Sequence, residues 1–177
     1  MKAPLNQDHP LYTLFWESVQ GAVDRYVATH GQDEISAYLT RLLVTFVHTD
    51  AIFKIKNREG QTLVSIAEMM AEGDIRANAD SFERERQVHQ HIADVILFWQ
   101  GVYPQFLNRV RLSNAADLVC DYPKQARQSY QLVASYEEHK NSPDAATYYQ
   151  LAEGFDDYAF CLRVVRENLL LIPGGSS

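Results

Sequence analysis

Cysteine is scarce in this chain. Cys120 and Cys161 are the only two in 177 residues, and they form no CxxC pair. A secreted scaffold stapled by disulfides is therefore excluded, and a reducing, cytoplasmic setting is expected. No charged-then-apolar leader opens the sequence, so no export signal is expected either. Long apolar runs are also missing. The densest, residues 95–99 and 169–172, fall far short of the roughly 18 to 20 residues that cross a bilayer, and no membrane insertion is expected. Positive charge is in deficit, with 16 Lys and Arg against 23 Asp and Glu and a net charge of −7. Nucleic-acid affinity rests on clustered Lys and Arg that release counterions, so nucleic acid is not the expected partner. Finally, the glycine-rich, zincin, nucleophile-elbow and EF-hand patterns are absent. That removes the common dinucleotide, nucleotide, metalloprotease, hydrolase and calcium readings.

What is present points to a folded helical protein. Hydrophobic residues make up 46% and aromatics 11%, with 10 Tyr and 8 Phe, which is too much apolar surface for a disordered chain. A chain of this length buries about 70% of the surface it exposes when unfolded and needs no metal or disulfide to hold a core. We expect one helical domain over residues 1–172 and a flexible tail, Pro-Gly-Gly-Ser-Ser, over 173–177.

Apolar spacing of three and four marks the helices. Leu11, Leu14, Phe15, Val19, Ala22, Val23 and Tyr26 share one face of a first helix, and Ile35, Tyr38, Leu39, Leu42, Leu43 and Phe46 share one face of a second, starting near Asp33. Residues 52–64 admit a short β-excursion, but helix, turn, helix is preferred, with a helix over 62–70 closed by Gly73. Asp80 and Glu83 have capping-box spacing and open a long helix that should run to Gly101 or Tyr103. Residues 105–122 read as a connector with one or two short helices, among them 115–119. Pro123 starts a helix over 124–139, and Ser142-Pro143-Asp144 starts a long final one carrying Tyr148, Leu151, Phe155, Tyr158, Leu162 and Val165. The short link between these two implies an antiparallel hairpin. The expected fold is thus all-α, a helical bundle of about five to six helices with an antiparallel C-terminal helical hairpin.

Two groups of residues carry chemistry. Glu85, His89 and His91 lie on the long helix, and Glu85 and His89, four apart, share a face that suits a divalent metal or an acid–base pair. His89 and His91 project about 200° apart and cannot chelate one ion together. The Glu-x-x-His spacing of di-iron bundles is absent. A solvated face with i,i+4 pairing is the commoner origin of such a run, and a hydrogen-bonded core histidine is the commoner role for His91, with Asp94 three residues on. His48 and Asp50 add a second polar spot. The other group is apolar. The stretch holding Leu97, Phe98 and Trp99 is apolar around its whole circumference, which marks either a central helix or an oligomer contact. Tyr148 and Tyr149 crowd the final hairpin, where tyrosines suit a partner-binding face. The preferred function is a non-enzymatic protein-interaction module that associates most readily with itself as a homo-oligomer. The alternative is a metal- or cofactor-binding bundle, and whether the chain is an enzyme is open from sequence.

Overall fold

The computed structural model describes residues 10–27, 32–47, 51, 53–74, 76 and 79–170. Within them lie eight α-helices: α1 Pro10–Tyr26, α2 Gln32–Phe46, α3 Ile66–Gly73, α4 Phe82–Val102, α5 Pro104–Ser113, α6 Tyr122–His139, α7 Asp144–Glu153 and α8 Phe155–Leu170. A 3-10 turn, Ala115–Val119, follows α5. The chain is an all-α bundle, and no helix among the described residues is long and apolar enough to cross a membrane. The expected tail at 173–177 lies outside the described residues.

Helix α4 runs through the middle. It packs against α6, α8, α3, α5 and α2, while α1 lies on α2 and α8. This explains the all-round apolar stretch: Val95, Ile96, Leu97, Phe98 and Trp99 are all buried because α4 has neighbours on every side. One contiguous apolar cluster runs from Phe15 on α1 to Val165 on α8. The helix does not stop at Gly101. A Cβ there would stand 2.5 Å from the Leu162 Cβ and 3.0 Å from the Ala159 carbonyl oxygen, so Gly101 is where α4 and α8 approach most closely.

Several boundaries differ from the sequence reading. The cap of α4 is Ser81, whose hydroxyl accepts from the Arg84 amide at 3.1 Å, rather than Asp80. Residues 53–65 are not helical. Lys56 and Thr62 form an antiparallel bridge, Leu63 N–H donates to the Ile55 carbonyl at 2.9 Å, and the turn is closed by the Asn57 side chain and by Gly60 at φ 80°. The hairpin survives because Ile55 and Leu63 are buried in the core, so packing overrides the marginal stability of two isolated strands. The expected connector contains a ten-residue helix, α5, with Pro104 in its first turn. The expected long final helix is instead two, α7 and α8, divided at Gly154, where a Cβ would stand 2.7 Å from the Tyr158 ring.

The link between α6 and α7 is a Schellman ending. Asn141 adopts φ 53°, Ser142 N–H donates to the Glu137 carbonyl at 2.9 Å and Asn141 N–H to that of Glu138 at 2.9 Å. The Ser142 hydroxyl then accepts from the Asp144 amide at 3.2 Å, which starts α7.

Candidate functional site

The charged first half of α4 turns one side to α6 and leaves Glu83 and Gln87 exposed. The Arg86 guanidinium pairs with Glu137, which is buried, and the Tyr136 hydroxyl donates to Glu85. His89 Nδ1 lies 2.9 Å from the Ser129 hydroxyl, and Lys140 Nζ donates to Glu83 at 2.8 Å. These pairs form a polar ladder between two helices, alongside pairs within α4 of the kind the sequence suggested: Glu83 accepts from Arg86 Nη1 at 3.5 Å and from Gln87 Nε2 at 3.3 Å.

The ladder separates the proposed metal ligands. Glu85 is taken by Tyr136 and His89 by Ser129, whereas His91 is fully buried, edge-on to Phe46 with ring centroids 6.1 Å apart. Among the described residues no three His, Cys, Asp or Glu side chains are grouped to hold a metal ion. Glu85, His89 and His91 thus do not converge, and His48 and Asp50 lie outside the described residues. Burial lowers the His89 pKa below its ordinary value, against the pull of Glu85 and Asp74. The Ser129–His89 contact has the spacing of a nucleophile and its base, but Ser129 is buried and also accepts from Gln125 Nε2 at 3.0 Å.

The proposed interface residues also need correction. Leu97, Phe98 and Trp99 are inside the core, and Tyr148 is only 6% exposed. Tyr149 alone reaches the surface, where its hydroxyl donates to Glu138 at 2.8 Å. An apolar circumference has two readings, and intramolecular neighbours account for this one.

Two buried carboxylates organise the interior. Asp94 on α4 accepts from the Tyr38 hydroxyl of α2 at 2.5 Å and the Tyr130 hydroxyl of α6 at 2.8 Å. Burial first, and then the nearby Asp94 charge, push both phenols well above their ordinary pKa, so they stay protonated donors. Asp117, in the 3-10 turn, is fully buried. It accepts from the Ser65 hydroxyl at 2.7 Å, the Ile66 and Ala67 amides at 3.1 and 3.0 Å and the Tyr122 hydroxyl at 2.9 Å. A carboxylate at the N-terminus of α3 satisfies amides that have no helical partner and complements the helix dipole. This hub was missed in the sequence, since its partners on α3 lie about 50 residues away and no local pattern marks it.

What Asp117 holds in place is apolar and bare. Its neighbours Leu118 and Val119 are 56% and 91% exposed, and Leu112 at the end of α5 is 78% exposed. Elsewhere, an apolar groove of about 520 Å³ opens between α1, α2, α4 and α8, floored by Phe46, Phe98, Leu162 and Val165 with Tyr103 and Leu170 on its rim. Burial pushes the Cys161 thiol up to about 11, and burial together with Asp117 raises Cys120, which disfavours the thiolate at both. Comparison with protein-family models, curated proteins and solved structures returned no match.

Proposed function

We propose that the chain is a non-enzymatic interaction module that associates with a second copy of itself, the corner Leu112, Leu118 and Val119 of one copy entering the Phe46–Leu162 groove of the next. The observation that carries this reading is an exposed apolar corner, Leu112, Leu118 and Val119, anchored beside the hydrogen-bonded Asp117. Mobile apolar side chains cost entropy on docking, and four hydrogen bonds to Asp117 fix this turn beforehand. A second copy is the occupant because one chain carries both a convex apolar knob and a concave apolar groove. Such a contact is head-to-tail and builds a ring or an open chain of copies. Two unpaired thiols suit a reducing cytoplasm as the setting.

Light scattering at rising micromolar concentration tests it. The mass of the parent chain should increase with concentration, and either Val119→Asp on the knob or Leu170→Asp on the groove rim should leave a monomer. Because each variant keeps one intact surface, mixing the two should restore a one-to-one dimer, which a symmetric two-fold contact would not do. A parent chain that stays monomeric throughout overturns the reading.

A further inference from the structure

The apolar groove between α1, α2, α4 and α8 carries a single charge. Among the described residues that line its 520 Å³, Arg166 is the only charged one, and none is acidic. The positions three and four away from it on α8 are Leu162, Arg163, Leu169 and Leu170, so no carboxylate pairs with it along the helix. Across the bundle it forms no ion pair among the described residues. Its guanidinium lies 6.0 Å from the centroid of the Tyr103 ring, on the same rim. In a chain with a net charge of −7, a half-buried arginine is thus kept apart from every acid at the edge of an apolar hollow.

These features restrict what can fill the groove. Its size lies within the roughly 300 to 1,000 Å³ of small-molecule sites. A peptide backbone lying along it would bring amide and carbonyl groups that each need a partner. The lining offers only the Tyr103 hydroxyl and the Arg166 guanidinium to meet them. The apolar side chains of a second copy fill the floor, formed by Phe46, Phe98 and Leu162, but bring Arg166 no anion. A hydrocarbon chain ending in one carboxylate satisfies both parts, because the planar guanidinium matches a carboxylate through two parallel hydrogen bonds.

We infer that this groove binds a medium-chain fatty acid, its tail on the apolar floor and its carboxylate on Arg166. An occupied groove has no room for the Leu118 and Val119 corner of another copy, so the ligand also opposes assembly. That second effect rests on the self-association proposed above, whereas the binding itself does not.

Calorimetric titration of the full chain carrying Val119→Asp, whose groove is intact, tests the binding apart from assembly. Decanoate, dodecanoate and decan-1-ol are the probes, each kept below the concentration at which it aggregates. Binding should saturate at one site, and dodecanoate should bind about tenfold tighter than decanoate for its two further methylenes. Arg166→Gln should weaken decanoate about tenfold, the loss of a charge-assisted contact, and leave decan-1-ol unchanged. Absence of saturable carboxylate binding overturns the inference, as does equal decanoate affinity with and without Arg166→Gln at unchanged circular dichroism. An equal loss for decan-1-ol would show that Arg166 acts by packing, and overturns the carboxylate. In the parent chain, saturating dodecanoate should hold the light-scattering mass at that of a monomer. Assembly that persists with dodecanoate bound overturns the competition, whereas a parent that is monomeric without ligand overturns self-association and leaves the binding standing.

Discussion

Removing the Asp117 carboxylate should damage the protein far more than any change to the side chains on either side of it in the same turn. Asp117→Ala leaves the Ile66 and Ala67 amides and the Ser65 and Tyr122 hydroxyls facing a void in the interior. Hydrogen bonds to a charged group each contribute about 1.5 to 3 kcal/mol, part of which offsets the cost of burying the charge. Each buried donor left unsatisfied costs about 1 to 3 kcal/mol, so the four together, less the cost of burying the charge, amount to a net loss of about 3 to 5 kcal/mol. For a chain of this size 1 kcal/mol moves the melting temperature by about 2 to 4 °C, so the expected fall is about 6 to 20 °C. Asp117→Asn should recover less than half of the loss, because its amide group presents donors to donors. Val119→Ser, two residues on and 91% exposed, should stay within about 0.5 kcal/mol of the parent. Urea unfolding followed by circular dichroism measures all three. A loss below about 1 kcal/mol for Asp117→Ala, of the size surface substitutions give, would refute the hub.

The glycines give a paired test. Gly101→Ala should destabilise by about 1 to 3 kcal/mol or more, because its Cβ meets Leu162 and the Ala159 backbone, whereas Gly21→Ala, with open space around it on exposed α1, should stabilise by about 0.5 to 1 kcal/mol; melting temperatures decide both signs. His89 predicts a pH dependence. Burial sets its folded pKa below 6.5, so below pH 6.5 the unfolded chain binds the proton more readily and stability falls until the folded pKa is passed. His89→Gln should flatten that part of the profile in urea midpoints taken across the range, and an unchanged slope would contradict the burial.

Apolar periodicity located nearly every helix, because a stripe such as Phe15, Val19, Ala22 and Val23 has a single way to be buried. Local chemistry located the α6–α7 hairpin, since Ser142 and Pro143 act within their own turn. The misses share one physical cause, which is that the deciding contact is remote. Tyr38, Asp94 and Tyr130 meet only when three helices have docked. The hairpin at 53–65 lost to a helix in the sequence because its support is the core beneath Ile55 and Leu63, not its own strands.

The carboxylates and histidines of α4 looked like a metal site because ligation and interhelical bridging call on the same residue types. What distinguishes them is direction. Ligands must converge on a point, whereas Glu83, Glu85, Arg86 and His89 each reach a different residue along α6, from Lys140 back to Ser129. A ladder of this kind has a register: sliding α6 by one turn along α4 would leave the buried Glu137 without Arg86 and Asp94 without Tyr130. Apolar burial alone resists such a slide less sharply, since a Val or Ala shifted by one turn still finds apolar neighbours even where the packing is poorer. Buried polar partners resist it more: breaking the Arg86–Glu137 ion pair costs about 3 to 5 kcal/mol, and losing the Tyr130 bond to the Asp94 carboxylate about 1.5 to 3 kcal/mol. The greasy stripes therefore determine that these helices pack, and Asp94, Glu137 and Asp117 determine the alignment in which they do.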